Sequence, residues 1–267
     1  MNMLWWQAMV LGLVQGFTEF LPVSSSGHLI LVRELMGLNV SASSQFNLVF
    51  DILVHVGTLI AVVIVLYKDI LALFRKPFKR LGMLIVASIP AVIVGFTCKD
   101  YIEQYFSTAQ YLCFFFLFTA IIMLISEIVA KRNKDPKELS WGGAVAMGVM
   151  QGAGVFPGIS RSGSTIFGGT VAGSKSKQVA TFSFLMSIPI ILGSLLLSVI
   201  DVAQAGEIAS IDWFSVIVGM ASAFASGYFA VKVMLKLIAK ANFKWFSLYL
   251  LIVSVFTFVY YFLPSVR

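Results

Sequence analysis

Residues 20–30 read FLPVSSSGHLI and residues 156–166 read FPGISRSGSTI, two serine-rich, glycine-broken stretches separated by a constant offset of 136 positions. Around them the chain is strongly apolar. Of 267 residues 59% are apolar and only 12% charged, with a mean hydropathy of +0.95. No soluble domain of that size hides so much apolar surface, so the chain belongs in a bilayer. The net charge of +7 is not a nucleic-acid footprint, because the basic residues fall in short loops between apolar runs, where the positive-inside rule explains them. The opening MNMLWWQAMVLG lacks the basic flank of a signal peptide and is expected to stay in the mature protein.

Six runs are long enough to cross a hydrocarbon core of about 30 Å: 47–67, 81–98, 110–130, 178–200, 213–237 and 245–263. Two regions remain, 1–36 and 141–174, each apolar at its ends and interrupted by Gly, Pro and Ser. Basic residues set the orientation. Lys68, Arg75, Lys76, Lys79 and Arg80, then Lys131, Arg132, Lys134 and Lys137, then Lys175 and Lys177, and last Lys232, Lys236, Lys240 and Lys244 read as cytoplasmic loops. Lys99, Asp100 and Glu103, with Asp201, Glu207 and Asp212, read as external. The sides alternate across the six spans only if 141–174 enters from the cytoplasm and returns to it, as a re-entrant hairpin or a pair of short spans.

For residues 1–36 the repeat decides. At the offset of 136, Gly12, Gln15, Gly16, Phe20, Ser24, Ser26 and Gly27 match Gly148, Gln151, Gly152, Phe156, Ser160, Ser162 and Gly163. Identities dominated by Gly, Gln and Ser are not what apolar sequences produce by chance. The expected fold is therefore all-α and polytopic, with repeat 1 over 1–135 (hairpin 1–36) and repeat 2 over 136–267 (hairpin 141–174). Three spans per unit is odd, so the second copy lies inverted relative to the first. The hairpin tips should then meet inside the membrane around a polar cavity, since broken helices are tolerated there only under cover of protein or water.

Glu19, Ser24, Ser25, Ser26, His28, Ser160, Arg161, Ser162, Ser164 and Thr165 all fall on those tips. An ionisable group at the bilayer centre costs at least ~2.5 kcal/mol, so Glu19, His28 and Arg161 require partners. A buried Glu19–Arg161 ion pair holding the hairpins together is the plain alternative, but it needs neither His28 nor so many hydroxyls. The guanidinium fork and the Gly/Ser turns suit phosphate oxygens. In a helix starting near Ser24, Ser25 and His28 share a face, so His28 can take a proton from a serine or attack phosphorus itself. Glu19 can orient His28 or hold a divalent cation.

Of the remaining residues, Asp51 and His55, one turn apart, are either a supporting or metal-ligating pair or simply hydrogen-bonded to each other. Cys98 and Cys113 lack metal-site spacing and read as two packed thiols, a disulfide being open only on an oxidising side. Pro90 and Pro189 read as helix kinks, Glu127 with Lys131 as a helix-end charge pair, and the 24 Phe residues as lipid-facing or packed.

QGFTE (15–19), PVSSSGH (22–28) and PGISRSGST (157–165) resemble the undecaprenyl-diphosphate phosphatase, or bacitracin-resistance protein, family of bacterial inner membranes, over essentially the whole chain. The resemblance implies a multi-pass membrane hydrolase that removes the terminal phosphate of undecaprenyl diphosphate, regenerating the carrier lipid for peptidoglycan synthesis. It places the serine nucleophile on Ser25, the histidine on His28 and the phosphate-gripping arginine on Arg161, with Ser160, Ser162 and Thr165 on phosphate-contacting positions. Ser24, Ser26 and Ser164 are added as phosphate-binding candidates. Ser25 attack with His28 as base is the preferred route; attack by His28 or by water stays open. The family's acidic motif has Gln15 here in its first place, which weakens a two-carboxylate site for a divalent cation (Mg2+ or Ca2+) on Gln15 and Glu19. Expected partners are the polyprenyl diphosphate lipid and the membrane, with a homodimer compatible and nucleic acid excluded. Access is expected from the periplasmic or external face. The rival reading is a transporter or flippase of a phosphate-bearing lipid, since inverted repeats with broken helices also build transport sites.

Overall fold

The computed structural model describes residues 3–38, 45–106, 109–204 and 211–263. Among these the chain is all-helical apart from an isolated bridge between Lys137 and Ser174. The helices are α1 (Trp5–Phe20), α2 (Ser25–Leu35), α3 (Gln45–Val65), α4 (Tyr67–Leu73), α5 (Lys79–Phe106), α6 (Leu112–Arg132), α7 (Trp141–Ala153), α8 (Arg161–Val171), α9 (Ser176–Gln204), α10 (Trp213–Ala239) and α11 (Lys244–Phe262), with one 3₁₀ turn at Ala109–Tyr111.

Six of them, α3, α5, α6, α9, α10 and α11, contain segments long and apolar enough to cross a membrane. Each matches one of the six apolar runs. Their outer faces carry large exposed side chains such as Phe96, Leu196, Phe214, Phe229 and Ile252, a surface that only lipid covers without penalty. The ends run further than the hydropathy suggests. Lys99, Asp100 and Glu103 belong to the end of α5, and Asp201 to that of α9, rather than to loops, because a helix leaving the hydrocarbon keeps its own hydrogen bonds and loses nothing by continuing. Glu207 lies outside the described residues. Pro90 and Pro189 sit inside continuous helices. Cys98 is half-buried and Cys113 buried, both as free thiols. Glu127 does meet Lys131, at 2.6 Å, but its Oε2 also accepts from the backbone N–H groups of Phe243 and Lys244, capping the start of α11.

Four of the remaining helices, α1, α2, α7 and α8, form two short pairs. At 1.5 Å per residue α1, α2, α7 and α8 reach only roughly 16–24 Å, less than the hydrocarbon thickness. Pro22 and Pro157 lie in the breaks, and a serine restarts the chain each time. Ser24 Oγ accepts from Gly27 N–H at 3.4 Å and Ser160 Oγ from Gly163 N–H at 3.1 Å, so one of the seven repeat identities is the helix cap and another is the residue it caps. The second pair closes on itself at its base. Lys137 N–H donates to Gly173 O, Lys175 N–H to Lys137 O and Leu139 N–H to Gln178 Oε1.

The two halves interleave. α1 packs along α10 and α7 along α5, so each half's first short helix lies on the middle spanning helix of the other. A Cβ at Gly12 would stand 2.2 Å from Gly219 O and one at Gly148 2.5 Å from Ala87 O, so both contacts require glycine. These are again repeat-matched positions.

Candidate active site

The tips of the two short-helix pairs touch. Gly158 N–H donates to Ser26 Oγ at 3.4 Å and Ser162 Oγ to Leu21 O at 2.8 Å. Between the tips and the inner faces of α3, α5 and α9 lies a cavity of about 470 Å³. One wall is polar, made by Glu19, Ser25, His55, Gln151 and Arg161; the other is apolar, made by α5 around Val92–Phe96 and by α9 around Pro189–Leu197.

Glu19 is the hub. It occupies the last turn of α1 and is 8% exposed. Its Oε1 accepts from Arg161 Nη2 at 2.7 Å, while Oε2 accepts from Ser25 Oγ at 2.5 Å and Gln15 Nε2 at 3.1 Å. His55 Nε2 stands 4.0 Å from the same Oε2, its ring set by an Nδ1–H bond to Asp51 O at 2.7 Å. Ser25 and Arg161 are each the first residue of a helix, so two helix N-termini, with their partial positive charge, open on the cavity.

His28 is placed elsewhere. Its Nδ1–H donates to Ser24 O at 2.7 Å, which leaves Nε2 to accept from Tyr249 OH, also at 2.7 Å. The ring stacks on Tyr249 and meets Phe116 edge-on. The expectation that His28 serves Ser25 is therefore not met by this geometry. Ser25 and His28 are three apart, but in the first turn of α2 the histidine faces α11 and Ser25 faces α1. The imidazole that does face Glu19 and Arg161 is that of His55.

The hydroxyls divide in the same way. Ser24, Ser26 and Ser160 line the cavity. Ser162 ties the tips together, and Thr165 bonds Ser183 Oγ at 2.6 Å in the α8–α9 contact. Ser164 is fully buried without a partner and does not line the cavity. Asp51 does not bond His55 through its carboxylate; it forms a two-pronged ion pair with Arg33, which joins α2 to α3. Arg33, Tyr249 and Gln151 went unread as site-shaping residues in the sequence; only Gln151 left a signal there, as the match of Gln15.

Among the described residues no group of three or more His, Cys, Asp or Glu side chains forms a metal cage. Glu19 is the carboxylate at the cavity, and Gln15 Oε1 beside it is buried without a partner. A second cavity, about 550 Å³, opens among Lys79, Arg80, Glu138 and Lys177 at the basic end of the molecule and holds none of the candidate site residues.

The family description "Bacitracin resistance protein BacA" matches residues 8–256. An undecaprenyl-diphosphatase of Carboxydothermus hydrogenoformans is 43% identical over 93% of this chain and 94% of its own length. One from Halothermothrix orenii is 39% identical over 92% and 93% of the two chains, and one from Parabacteroides distasonis 38% over 96% and 97%.

Proposed function

The chain belongs to the bacitracin resistance protein BacA family, and we infer that it hydrolyses undecaprenyl diphosphate to undecaprenyl phosphate and inorganic phosphate in a membrane. It is a multi-pass membrane hydrolase with a lipid substrate. The observation that supports a chemical route best is the Ser25–Glu19–Arg161 chain, with a hydroxyl 2.5 Å from one carboxylate oxygen and a guanidinium 2.7 Å from the other.

In this reading Arg161 grips the terminal phosphate and Glu19 takes the Ser25 proton as Oγ attacks phosphorus. Glu19 passes that proton to the bridging oxygen as its bond to the terminal phosphorus breaks, undecaprenyl phosphate leaves, and a phosphoserine forms. Water then attacks that phosphoserine, giving a proton to Glu19, which returns it to Ser25 Oγ as the serine P–O bond breaks, so that Ser25 and Glu19 are regenerated with release of inorganic phosphate. The two helix N-termini and Arg161 stabilise the charge that gathers on the phosphoryl oxygens. The base is assigned to Glu19 rather than His28, whose two ring nitrogens are both engaged away from the cavity.

A divalent cation fits this donor set only as a companion of the substrate. Glu19 and Gln15 Oε1 would hold it while diphosphate oxygens complete its shell, and it would supply further charge neutralisation. The transporter reading is not favoured, because moving an anion across a membrane needs no hydroxyl seated on a carboxylate.

The inverted repeat and the re-entrant course of 1–36 and 141–174 are part of the same proposal. They are supported by the swapped α1–α10 and α7–α5 contacts and by the closed base of the second pair. The membrane is taken to be the bacterial plasma (inner) membrane, and external access is supported by depth. The cavity's apolar wall begins on α5 roughly 18 Å from its basic Lys79 end and on α9 about 20 Å from Ser176. The cavity therefore lies toward the ends remote from the basic loops. Phosphate release from a polyprenyl diphosphate by purified protein, with and without chelator, tests the reaction; a Ser25→Ala protein as fast as wild type refutes the route.

A further inference from the structure

We propose that Gln151 is a substrate-contacting residue whose carboxamide, together with the free arm of Arg161, binds a phosphoryl oxygen of the lipid diphosphate. The proposal rests on the phosphatase reading of the cavity and adds a ligand on the second half of the chain.

Gln151 is fully buried, and among the described residues neither its Nε2 nor its Oε1 has a hydrogen-bond partner. Buried amides are almost always paired, and an orphaned one is a cost that folded chains retain where something else completes it. Its side chain lines the cavity that also holds Glu19, Ser25 and Arg161.

The repeat shows why the partner is missing. Gln15, the matching residue, donates to Glu19 four positions later at 3.1 Å. Four positions after Gln151 stands Val155, which has nothing to accept with. The second half has kept the amide and lacks the carboxylate, so the amide is left without that partner beside the cavity. It is also held still. Gly148, one turn earlier on α7, lies against Ala87 of α5 at a distance no Cβ would allow.

Arg161 supplies the second half of the argument. Its Nη2 is taken by Glu19, whereas Nη1 is buried and unpartnered. Two orphaned donor groups, one of them cationic, therefore line a single cavity. An amide N–H and a guanidinium N–H at one cavity suit an oxygen of a phosphoryl group, the donor set that phosphate recognition uses. A cation is a poor occupant next to the guanidinium, and an apolar tail would leave both donors unsatisfied.

The test compares Gln151→Met, which keeps the length and loses both polar atoms, with Gln151→Glu, which replaces the donor by an anion. Phosphate release from a polyprenyl diphosphate and the thermal midpoint without substrate are measured for each. Gln151→Met is expected to raise KM about tenfold or more while leaving the midpoint unchanged or higher, and Gln151→Glu to lose more activity. Inorganic phosphate should raise the midpoint of wild type but not of Gln151→Met. A Gln151→Met protein with wild-type KM and kcat would overturn the proposal, as would a lowered midpoint, since that would mean the amide has partners within the fold. If wild type itself releases no phosphate, the phosphatase reading fails, and the inorganic-phosphate shift still decides whether Gln151 binds a phosphoryl anion.

Discussion

Ser25 Oγ donates to Glu19 Oε2 across 2.5 Å, although the two residues belong to different helices and are separated by the break at 21–24. The break turns the chain so that the first residue of α2 faces the last turn of α1. Replacing Glu19 by Gln removes the base and the anionic half of a buried ion pair with Arg161. A general base is worth about 10²–10⁴ in rate, so kcat should fall by at least about a hundredfold. Leaving Arg161 uncompensated should also destabilise the protein by about 3 kcal/mol or more. Phosphate-release kinetics and thermal unfolding, measured on the same sample, separate the two effects.

His28 and Tyr249 are 221 positions apart and share a 2.7 Å hydrogen bond. Tyr249→Phe deletes only the hydroxyl, leaving the His28 nitrogen buried and unsatisfied, a change of about 1 kcal/mol in stability. Because His28 holds Ser24 O and does not line the cavity, the same variant should change KM little. A Tyr249→Phe protein with full stability and lost turnover would instead place the imidazole in the reaction.

The spans, the two interrupted pairs and the meeting of Glu19 with Arg161 were legible in the sequence. Each depends on local composition or on the cost of burying charge, and both are visible without coordinates. The orientation of His28 was not. Helical spacing shows which residues share a face but not which neighbour that face meets, and Phe116 and Tyr249 come from α6 and α11. His55 was read only as a partner of Asp51 for the same reason: its approach to Glu19 depends on how α3 packs on α1. Ser162 and Thr165 carried the family pattern, yet in the folded chain they bond to Leu21 and Ser183, as serine and threonine do where backbones approach closely.

Gly95 and Gly193 line the apolar wall of the cavity, and a Cβ built on either meets nothing within 4 Å. Their smallness is not needed for packing; it keeps space open. Gly193→Leu should fold normally while filling the region where the polyprenyl tail would leave for the lipid. KM should rise for a long-chain polyprenyl diphosphate and much less for a short-chain one. Gly12→Ala is the contrasting case: its added carbon would meet Gly219 O at 2.2 Å, so stability falls first. Equal KM changes for both chain lengths in Gly193→Leu would contradict the tail path.

At the base of the second short pair, Glu138 accepts from Lys175 Nζ at 2.5 Å and from Gln178 Nε2. The hydrogen bond from Lys175, then that from Gln178, holds its carboxyl below the ordinary carboxylate range. A depressed carboxylate contributes stability that is present above its unfolded pKa and is lost as pH falls through the folded value. Acidification below that range should therefore loosen 137–140 against 173–178 before the spanning helices respond. Hydrogen exchange at those backbone groups reads this directly, and Glu138→Gln should show the loosened pattern at neutral pH.

Access is the last consequence of where the cavity lies. The basic residues Lys79 and Arg80 start α5, and Lys175 and Lys177 flank the start of α9, so both helices begin on the side that the positive-inside rule assigns to the cytoplasm. Both contribute the cavity wall at Val92–Phe96 and Pro189–Leu197, roughly 20 Å along each helix from that basic start. Ser26 is exposed at the cavity, which makes it a reporter. With Cys98 and Cys113 replaced by Ser, a Ser26→Cys protein in intact cells should react with a membrane-impermeant thiol reagent added outside. In inverted vesicles it should not, and inorganic phosphate should slow the outside reaction if the anion sits beside it. Labelling only from the cytoplasmic surface would mean that the cavity opens toward the basic loops, and the external route of the substrate would have to be abandoned.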